Sequence, residues 1–145
     1  MKIHQISLFV ENKAGAVNAP LKLLSDNGIN ISTLSLADSK FFGILRLLIR
    51  DWERARDLLE QAGFAVKVTE VVALEVDHAP GSLSRILAVL DKHDVNIEYL
   101  YAFAAGYHGK AAIIFRFDDP DAAVAKIRGE LSVVDPKSLF AVLED

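Results

Sequence analysis

Large aliphatic residues occupy every second position in a segment near the start of the chain, and again in a segment 66 positions later. The apolar positions are Ile6, Leu8 and Val10 in the first segment, and Val72, Leu74 and Val76 in the second. A period of two is typical of a β-strand that buries one face. The pattern therefore predicts two equivalent strands, one in each half of the chain.

Helical spacing follows each predicted strand. The apolar residues at i, i+3, i+4 and i+7 are Leu83, Ile86, Leu87 and Leu90 in the second half, and Val17, Pro20, Leu21 and Leu24 in the first. Such spacing forms one buried stripe along a helix. Because proline cannot donate the helical hydrogen bond, Pro20 predicts a kink or a late helix start.

Both ends of these helices have sequence signals. Ser82 or Ser84 is available to cap the start of the helix in the second half. We expect Asn27-Gly28 to end the first helix through a left-handed residue, and His93-Asp94 stands at that position in the second half.

A hairpin and a second helix are predicted to follow in each half. The hairpin strands are Asn30–Ala37 with Phe42–Ile49, and Asn96–Phe103 with Lys110–Phe117. The connecting loops are expected around Asp38-Ser39-Lys40 and Ala105-Gly106-Tyr107-His108. The second helices are predicted at Trp52–Ala62 and Asp121–Arg128, each with a glycine just past its end.

The remaining segments join the halves and end the chain. Phe64–Val68 predicts a strand, and no proline, glycine or serine separates Phe64 from Val76. This strand is therefore expected to run into the first strand of the second half without a flexible linker. Near the C-terminus, Val133–Pro136 predicts a short strand, whereas Ser138–Leu143 fits either a helix or a strand.

The two halves are copies of one unit. Val10-Glu11-Asn12-Lys13-Ala14-Gly15 is matched by Val76-Asp77-His78-Ala79-Pro80-Gly81, and Gly28-Ile29-Asn30-Ile31 by Asp94-Val95-Asn96-Ile97, with an offset of 66 for both. We assign residues 1–70 to the first domain and residues 71–145 to the second. The fold class is α+β: two tandem βαββαβ ferredoxin-like units, side by side, with antiparallel sheets and both helices on one face.

Composition excludes several functions. Hydrophobic residues make up 52% and charged residues 25%, which is typical of a globular protein. A net charge of −4 argues against nucleic-acid binding, and the apolar runs are too short to span a membrane. The start of the chain has no signal segment, so a cytoplasmic protein is expected.

The sequence contains few signals of a catalytic site. The chain has no cysteine, and its four histidines have neither an i, i+4 pair nor a cysteine partner, so no metal site is expected. No nucleophile and base stand at an interpretable spacing, and no phosphate-binding loop is present. The sequence therefore predicts neither an enzyme nor a cofactor site.

The repeated glycine and asparagine are the candidates for function. At Gly15 and Gly81 the main-chain N–H groups of a strand-to-helix corner could approach a carboxylate, helped by the helix N-terminus. Asn30 and Asn96 offer both donors and acceptors to an amino acid. A structural alternative stays open, because such a glycine also serves a positive φ, and an asparagine after a helix also serves a turn.

These motifs resemble the ACT domain, an amino-acid-sensing module of many biosynthetic enzymes. The resemblance rests on Val-Glu-Asn-x-x-Gly at residues 10–15, Gly-Ile-Asn-Ile at residues 28–31, and the Pro-Gly pair at residues 80–81. It covers nearly the whole chain and implies a stand-alone tandem ACT protein. Two positions depart from it: His78 stands where the first copy has Asn12, and Ala14 stands where the family prefers proline.

The resemblance implies that a free amino acid binds between neighbouring ACT units, at the first loop and the start of the second strand. The implied binding residues are Asn12, Lys13, Ala14, Gly15, Ala16, Val17, Asn30 and Ile31 in the first half, and His78, Ala79, Pro80, Gly81, Ser82, Leu83, Asn96 and Ile97 in the second. The implied function is a non-catalytic sensor that modulates a metabolic enzyme, with a homodimer expected. The alternative is a ligand-free interaction or regulatory subunit of a biosynthetic enzyme.

Overall fold

The structure is a computed structural model that describes residues 2–38, 40–107 and 110–144. The chain divides into two compact units, His4–Thr69 and Glu70–Asp145, and the second also takes Met1–Ile3. Within the described ranges, none of the helices is both long enough and apolar enough to cross a membrane.

The first unit has the predicted order of strands and helices. Its elements are β1 (Ile3–Glu11), α1 (Asn18–Asp26), β2 (Thr33–Asp38), β3 (Phe42–Leu48), α2 (Trp52–Gln61) and the beginning of β4 (Val66–Asp77). Both β1 and β2 pair with β3 in antiparallel register, with Leu8 and Leu36 each opposite Leu45. The predicted βαββαβ order is confirmed for this unit.

The core of the first unit lies between this sheet and its two helices. Ile6, Leu8 and Val10 of β1 are buried in one cluster with Leu24 of α1 and Leu59 of α2. Because these three strand residues alternate along β1, they all project from the same face. The prediction that both helices cover one face of an antiparallel sheet is confirmed.

Helix α1 starts late because of Pro20. The corresponding helix of the second unit begins at Ser82, which matches Ala16 of the first unit. Helix α1 begins two positions later, at Asn18. Pro20 therefore falls within the first turn, where its missing N–H removes the i to i−4 bond that would follow the bond from Ala19 N–H to Gly15 O. Gly28 has a φ of 71°, which confirms the predicted left-handed end of α1, and Asp94 at the equivalent position of the second unit has a φ of 55°.

The second unit repeats this order and adds one helix. After β4 come α3 (Ser82–Lys92), β5 (Ile97–Tyr107), β6 (Lys110–Phe117), α4 (Pro120–Ile127), β7 (Val133–Val134) and α5 (Pro136–Glu144). Strand β6 pairs with β4 and with β5, and β7 pairs with β4, all in antiparallel register. The core of this unit contains Leu74 of β4, Phe115 of β6, Ile86 of α3 and Ile127 of α4.

Helix α5 resolves the open question about the C-terminal segment. Asp135 precedes the helix, and its carboxylate accepts hydrogen bonds from the N–H of Ser138 at 3.0 Å and from its Oγ at 2.6 Å. Leu139 is buried and lines a small cavity of about 40 Å³ with Glu75 and Ala112. Glu75 and Ala112 are partners on the sheet face opposite the core, so α5 packs against that face.

Two predicted hairpin boundaries are wrong. Strand β2 begins at Thr33 rather than Asn30, because the preceding segment is anchored by the buried Ile29, whose N–H donates to Leu24 O at 2.9 Å. Strand β5 runs through Tyr107, so residues 105–107 are not a loop. Ser39 and His108 of the predicted loops lie outside the described residues.

Candidate functional site

The corner between the first strand and the first helix has the same backbone hydrogen bonds in both units. In the first unit, N–H groups donate to carbonyl oxygens from Lys13 to Glu11 (3.0 Å), from Ala16 to Lys13 (3.2 Å) and from Ala19 to Gly15 (3.2 Å). The equivalent bonds of the second unit, 66 residues later, run from Ala79 to Asp77 (2.9 Å), from Ser82 to Ala79 (3.2 Å) and from Arg85 to Gly81 (3.1 Å). The two corners therefore share one conformation, as the repeated sequence predicts.

The glycine at each corner is required by the backbone. Gly15 has a φ of 86° and Gly81 a φ of 83°, a region that other residues rarely adopt. A Cβ on Gly15 would meet no described atom within 4 Å, and one on Gly81 would meet Arg85 Nη1 at 3.4 Å. The structural alternative left open by the sequence therefore explains both glycines without a ligand.

The start of α3 is not capped as predicted. Gly81 occupies the cap position, and no side chain within the described residues makes a capping hydrogen bond. Ser82 is instead the first helical residue, and its Oγ accepts a hydrogen bond from Arg85 Nη2 at 3.1 Å. The prediction that Ser82 or Ser84 caps α3 is wrong, because the left-handed backbone puts a residue without a side chain at the cap.

A cavity of about 370 Å³ lies beside this helix start in the second unit. Its lining comes from the end of β4, the corner, and the facing strands β5 and β6. The lining residues are Val76, Asp77, His78, Ala79, Pro80, Ser82, Leu83, Ala102, Ala111 and Ile113. The polar side chains come from the end of β4, the corner and the start of α3, whereas β5 and β6 contribute only apolar side chains.

The floor of the cavity is formed by paired strand residues on the helix-covered face. Val76 stands opposite Ala111, and Ala102 stands opposite Ile113. Since two of these four side chains are alanines, the floor lies low relative to the helix start. This pairing shows how residues far apart in sequence form one surface.

Asp77 provides a negative charge at one wall. Its Oδ1 lies 3.0 Å from Lys110 Nζ, which also lies 3.3 Å from Glu75 Oε1. Hydrogen bonds to Asp77 and then to Glu75 raise the pKa of the Lys110 ammonium above its ordinary value of 10.5. The carboxylate at this wall therefore has a charged partner on the side of β6.

The structure brings together most of the predicted residues of the second half. His78, Ala79, Pro80, Ser82 and Leu83 line the cavity, with Gly81 between them at the corner. Asn96 lies apart: its Nδ2 donates to Asp118 Oδ1 at 3.0 Å and to Oδ2 at 2.9 Å, beside a separate cavity of about 120 Å³. Ile97 packs against the core of the second unit.

The predicted residues of the first half are more dispersed. Asn12, Lys13, Ala14 and Gly15 are exposed along the corner, and Asn30 is exposed before β2. The hydrophobic residues Ala16, Val17 and Ile31 pack against the core of the first unit. Lys13 Nζ lies 3.2 Å from Glu11 Oε2, so its charge is partly compensated locally.

Sequence reasoning missed five residues of the cavity. They are Val76, Asp77, Ala102, Ala111 and Ile113. Val76 and Asp77 lie within the repeated motif and could have been included on that signal. The signal at Ala102 is weaker: it is the position where the second copy replaces Leu36 of the first by a smaller residue.

Comparisons with known proteins agree with this architecture. Protein BT0572 from Bacteroides thetaiotaomicron has a crystal structure with 31% identity and a TM-score of 0.89, covering 97% of this chain and 96% of that chain. The ligand-free regulatory subunit of aspartate kinase from Thermus thermophilus shares the fold at 15% identity and a TM-score of 0.62, covering 87% of this chain and 91% of that chain. The regulatory subunit from Thermus flavus is similar, at 15% identity and a TM-score of 0.61, covering 89% and 93%.

No curated protein sequence matches this chain. The model of the ACT domain pair matches residues 1–143, which is nearly the full length. That match includes both copies of the corner and all strands of both sheets. The chain therefore belongs to the family of ACT domain pairs.

Proposed function

We propose that this protein is a non-catalytic regulator that binds a free amino acid at the corner of its second unit and modulates a metabolic enzyme. The observation that carries the proposal is the cavity of about 370 Å³ at the start of α3, where no described side chain caps the helix. A cavity of this volume is within the range of roughly 300–1,000 Å³ that is usual for small-molecule sites.

The helix start suits the carboxylate of an amino acid. The first N–H groups of a helix have no partner within the helix, and the helix dipole favours a negative charge there. Leu83 and Ser84 follow the uncapped first residue, and Leu83 lines the cavity. A carboxylate at this position would accept the hydrogen bonds that a capping side chain accepts in other helices.

The ammonium group would face Asp77 and His78. Asp77 supplies a carboxylate at the cavity wall, and an ammonium is attracted to it and can donate to it. In this orientation both charged ends of the amino acid lie at the corner. The side chain of the amino acid then points toward the apolar floor.

The family relation supports a regulatory role. The two Thermus proteins that share this fold are regulatory subunits by name. Binding can regulate a partner when the ligand has different affinities for two packings of the protein, because it then shifts the equilibrium between them.

Exposed leucines on β2 favour a second candidate function. Leu34 and Leu36 are 49% and 52% exposed, and β2 is the end strand of its unit. An end strand with apolar side chains is suited to contact another protein, either an enzyme or a second copy in a homodimer. This candidate requires no small ligand.

A thermal-shift screen with the free amino acids tests the proposal. At a concentration of about 100 times its Kd, a ligand stabilises the folded protein by ~2.7 kcal/mol, which raises the midpoint of a chain of this size by roughly 5 to 10 °C. A shift with at least one amino acid supports the proposal. If none shifts the midpoint and calorimetry detects no heat of binding, the second candidate replaces it.

A pair of matched variants then tests the position of the carboxylate. Leu83→Glu adds a negative charge at the cavity wall beside the helix start, and we expect it to abolish the shift. Leu100→Glu makes the same change at a leucine of nearly equal exposure, 38% against 39%, outside the cavity lining. Equal binding by the two variants would show that the carboxylate of the amino acid does not bind at the start of α3.

A further inference from the structure

We infer that the amino acid bound by the second unit has a sizeable apolar side chain, and that the first unit has no equivalent site. The inference rests on the proposed function and specifies its ligand class and stoichiometry. It comes from the separation of polar and apolar groups in the cavity of the second unit, and from one residue exchange between the two copies.

Polar and apolar groups occupy opposite parts of the cavity. The three side chains with polar atoms, Asp77, His78 and Ser82, all belong to the end of β4, the corner and the start of α3. The floor consists of Val76, Ala102, Ala111 and Ile113, none of which has a side-chain donor or acceptor. The charged head and the side chain of an amino acid match these two parts.

The floor discriminates between side chains by desolvation. A ligand with a polar side chain in contact with the floor would lose hydrogen bonds to water, and the side chains of these four residues could not replace them. An apolar side chain gains affinity in proportion to the area that it buries. Leucine, isoleucine, methionine and phenylalanine should therefore bind more tightly than serine, glutamine or lysine, and glycine should bind weakly.

The same part of the first unit is covered by a leucine. Leu36 stands 66 positions before Ala102, and Gly43 pairs with Val10 as Ala111 pairs with Val76. In the first unit, Leu36 Cδ1 lies 3.0 Å from the point that a Cβ on Gly43 would occupy. The Leu36 side chain thus lies over the surface that forms the open floor in the second unit.

Two further exchanges at the corner reinforce this difference. The first unit has Asn12 and Ala14 where the second has His78 and Pro80, both of which line the cavity. The backbone hydrogen bonds of the two corners are nevertheless the same. At the two corners, side chains rather than main-chain hydrogen bonds therefore distinguish the units.

Titration calorimetry on the full chain tests both parts of the inference. The probes are leucine, isoleucine, methionine, phenylalanine, serine, glutamine, lysine and glycine. We expect the apolar amino acids to bind with a stoichiometry of one per chain, and Ala102→Leu to weaken that binding by roughly tenfold to hundredfold, because the added side chain fills the floor. Leu36→Ala is the matched control, and it should keep the wild-type affinity for the original site.

The outcomes separate the inference from the proposed function. Tight binding of serine, glutamine or lysine in preference to the apolar amino acids would overturn the inference and leave the proposed function standing. Two equal sites per chain, or loss of binding in Leu36→Ala but not in Ala102→Leu, would overturn it as well. If none of the probes binds, the inference fails, and the thermal-shift screen with the other free amino acids then decides the proposed function.

A folding control makes the result with Ala102→Leu interpretable. Ala102 is exposed on β5, and its substitution should leave the far-ultraviolet circular dichroism spectrum unchanged. If Ala102→Leu does not fold, Ala102→Val fills less of the floor and provides the same comparison. Wild-type affinity in a folded Ala102→Val variant would overturn the inference in that case.

Discussion

Leu36 Cδ1 lies 3.0 Å from the position that a Cβ on Gly43 would occupy, and Val10 Cγ2 lies 3.3 Å from the same point. Gly43 has no left-handed backbone, so this crowding, rather than φ, restricts the residue. We predict that Gly43→Ala destabilises the protein by about 1 kcal/mol through overpacking. Urea denaturation monitored by circular dichroism measures this loss.

The second unit suggests the compensating variant. It has Ala102 and Ala111 at the positions of Leu36 and Gly43. The double variant Leu36→Ala/Gly43→Ala should therefore recover part of the loss, with a coupling free energy of about 0.5 kcal/mol or more between the two sites. Strictly additive losses would indicate that Leu36 moves away from residue 43 without cost.

The positive φ of Gly81 gives a second prediction. Its φ of 83° lies in the left-handed region, which costs other residues roughly 1–2 kcal/mol. We expect Gly81→Ala to lower the free energy of unfolding by that amount. Thermal and urea denaturation should give the same ranking of the variants.

Gly129 provides the control for this prediction. It lies outside the left-handed region, and a Cβ there would meet no described atom within 4 Å. Gly129→Ala should be neutral or stabilise the protein by up to about 1 kcal/mol, because alanine restricts the unfolded chain. Equal losses for the two substitutions would mean that φ does not determine the cost at Gly81.

Asn96 gives a third prediction, which concerns binding. Both oxygens of Asp118 accept hydrogen bonds from its Nδ2, and the pair lies beside a cavity different from that of the helix start. We expect Asn96→Ala to leave the affinity for the amino acid within about twofold of wild type, a negligible free-energy change. Titration calorimetry with the best-binding amino acid checks this. A tenfold loss of affinity would mean that Asn96 contributes to the binding site.

The repeat and the hydrophobic periodicity predicted most of the fold. Buried Leu8 and Leu74 follow the period of two, and buried Leu24 and Leu90 follow the helical spacing. The burial of these residues could be predicted from the local sequence, because the spacing along a strand or helix determines which face each side chain occupies. A single residue, Pro20, was also enough to predict that α1 starts late or is kinked.

The candidate site was less readable for a physical reason. Its floor brings Val76 together with Ala102 and Ala111, and their proximity depends on the register of three strands. Asn96 shows the opposite difficulty, since a polar side chain that could bind a ligand is held by Asp118, 22 residues away. Sequence periodicity determines which face a residue occupies, but not which polar partner it finds.

Asp135 gives a prediction about pH. Hydrogen bonds from the Ser138 hydroxyl, and then from the Ser138 N–H, hold the pKa of the Asp135 carboxyl below its ordinary value of 3.8. A carboxyl whose pKa is lower in the folded state stabilises the fold above its unfolded-state pKa, and this contribution is lost as pH falls through the folded-state pKa. The contribution should therefore be complete at pH 7 and be lost progressively as the pH falls from about 3.8 through the lower folded-state pKa.

The variant Asp135→Asn isolates this effect from the cap itself. Asparagine caps a helix about as well as aspartate but does not titrate, so it keeps the hydrogen bond to the Ser138 N–H without the charge. The melting temperature of wild type should exceed that of Asp135→Asn near pH 7, and the difference should close as the pH falls below 3.8. Asp135→Ala loses the cap and should be the least stable of the three near pH 7. A wild-type advantage over Asp135→Asn that stays constant from pH 7 to pH 2 would contradict the lowered pKa, because only the titrating residue can make that difference depend on pH.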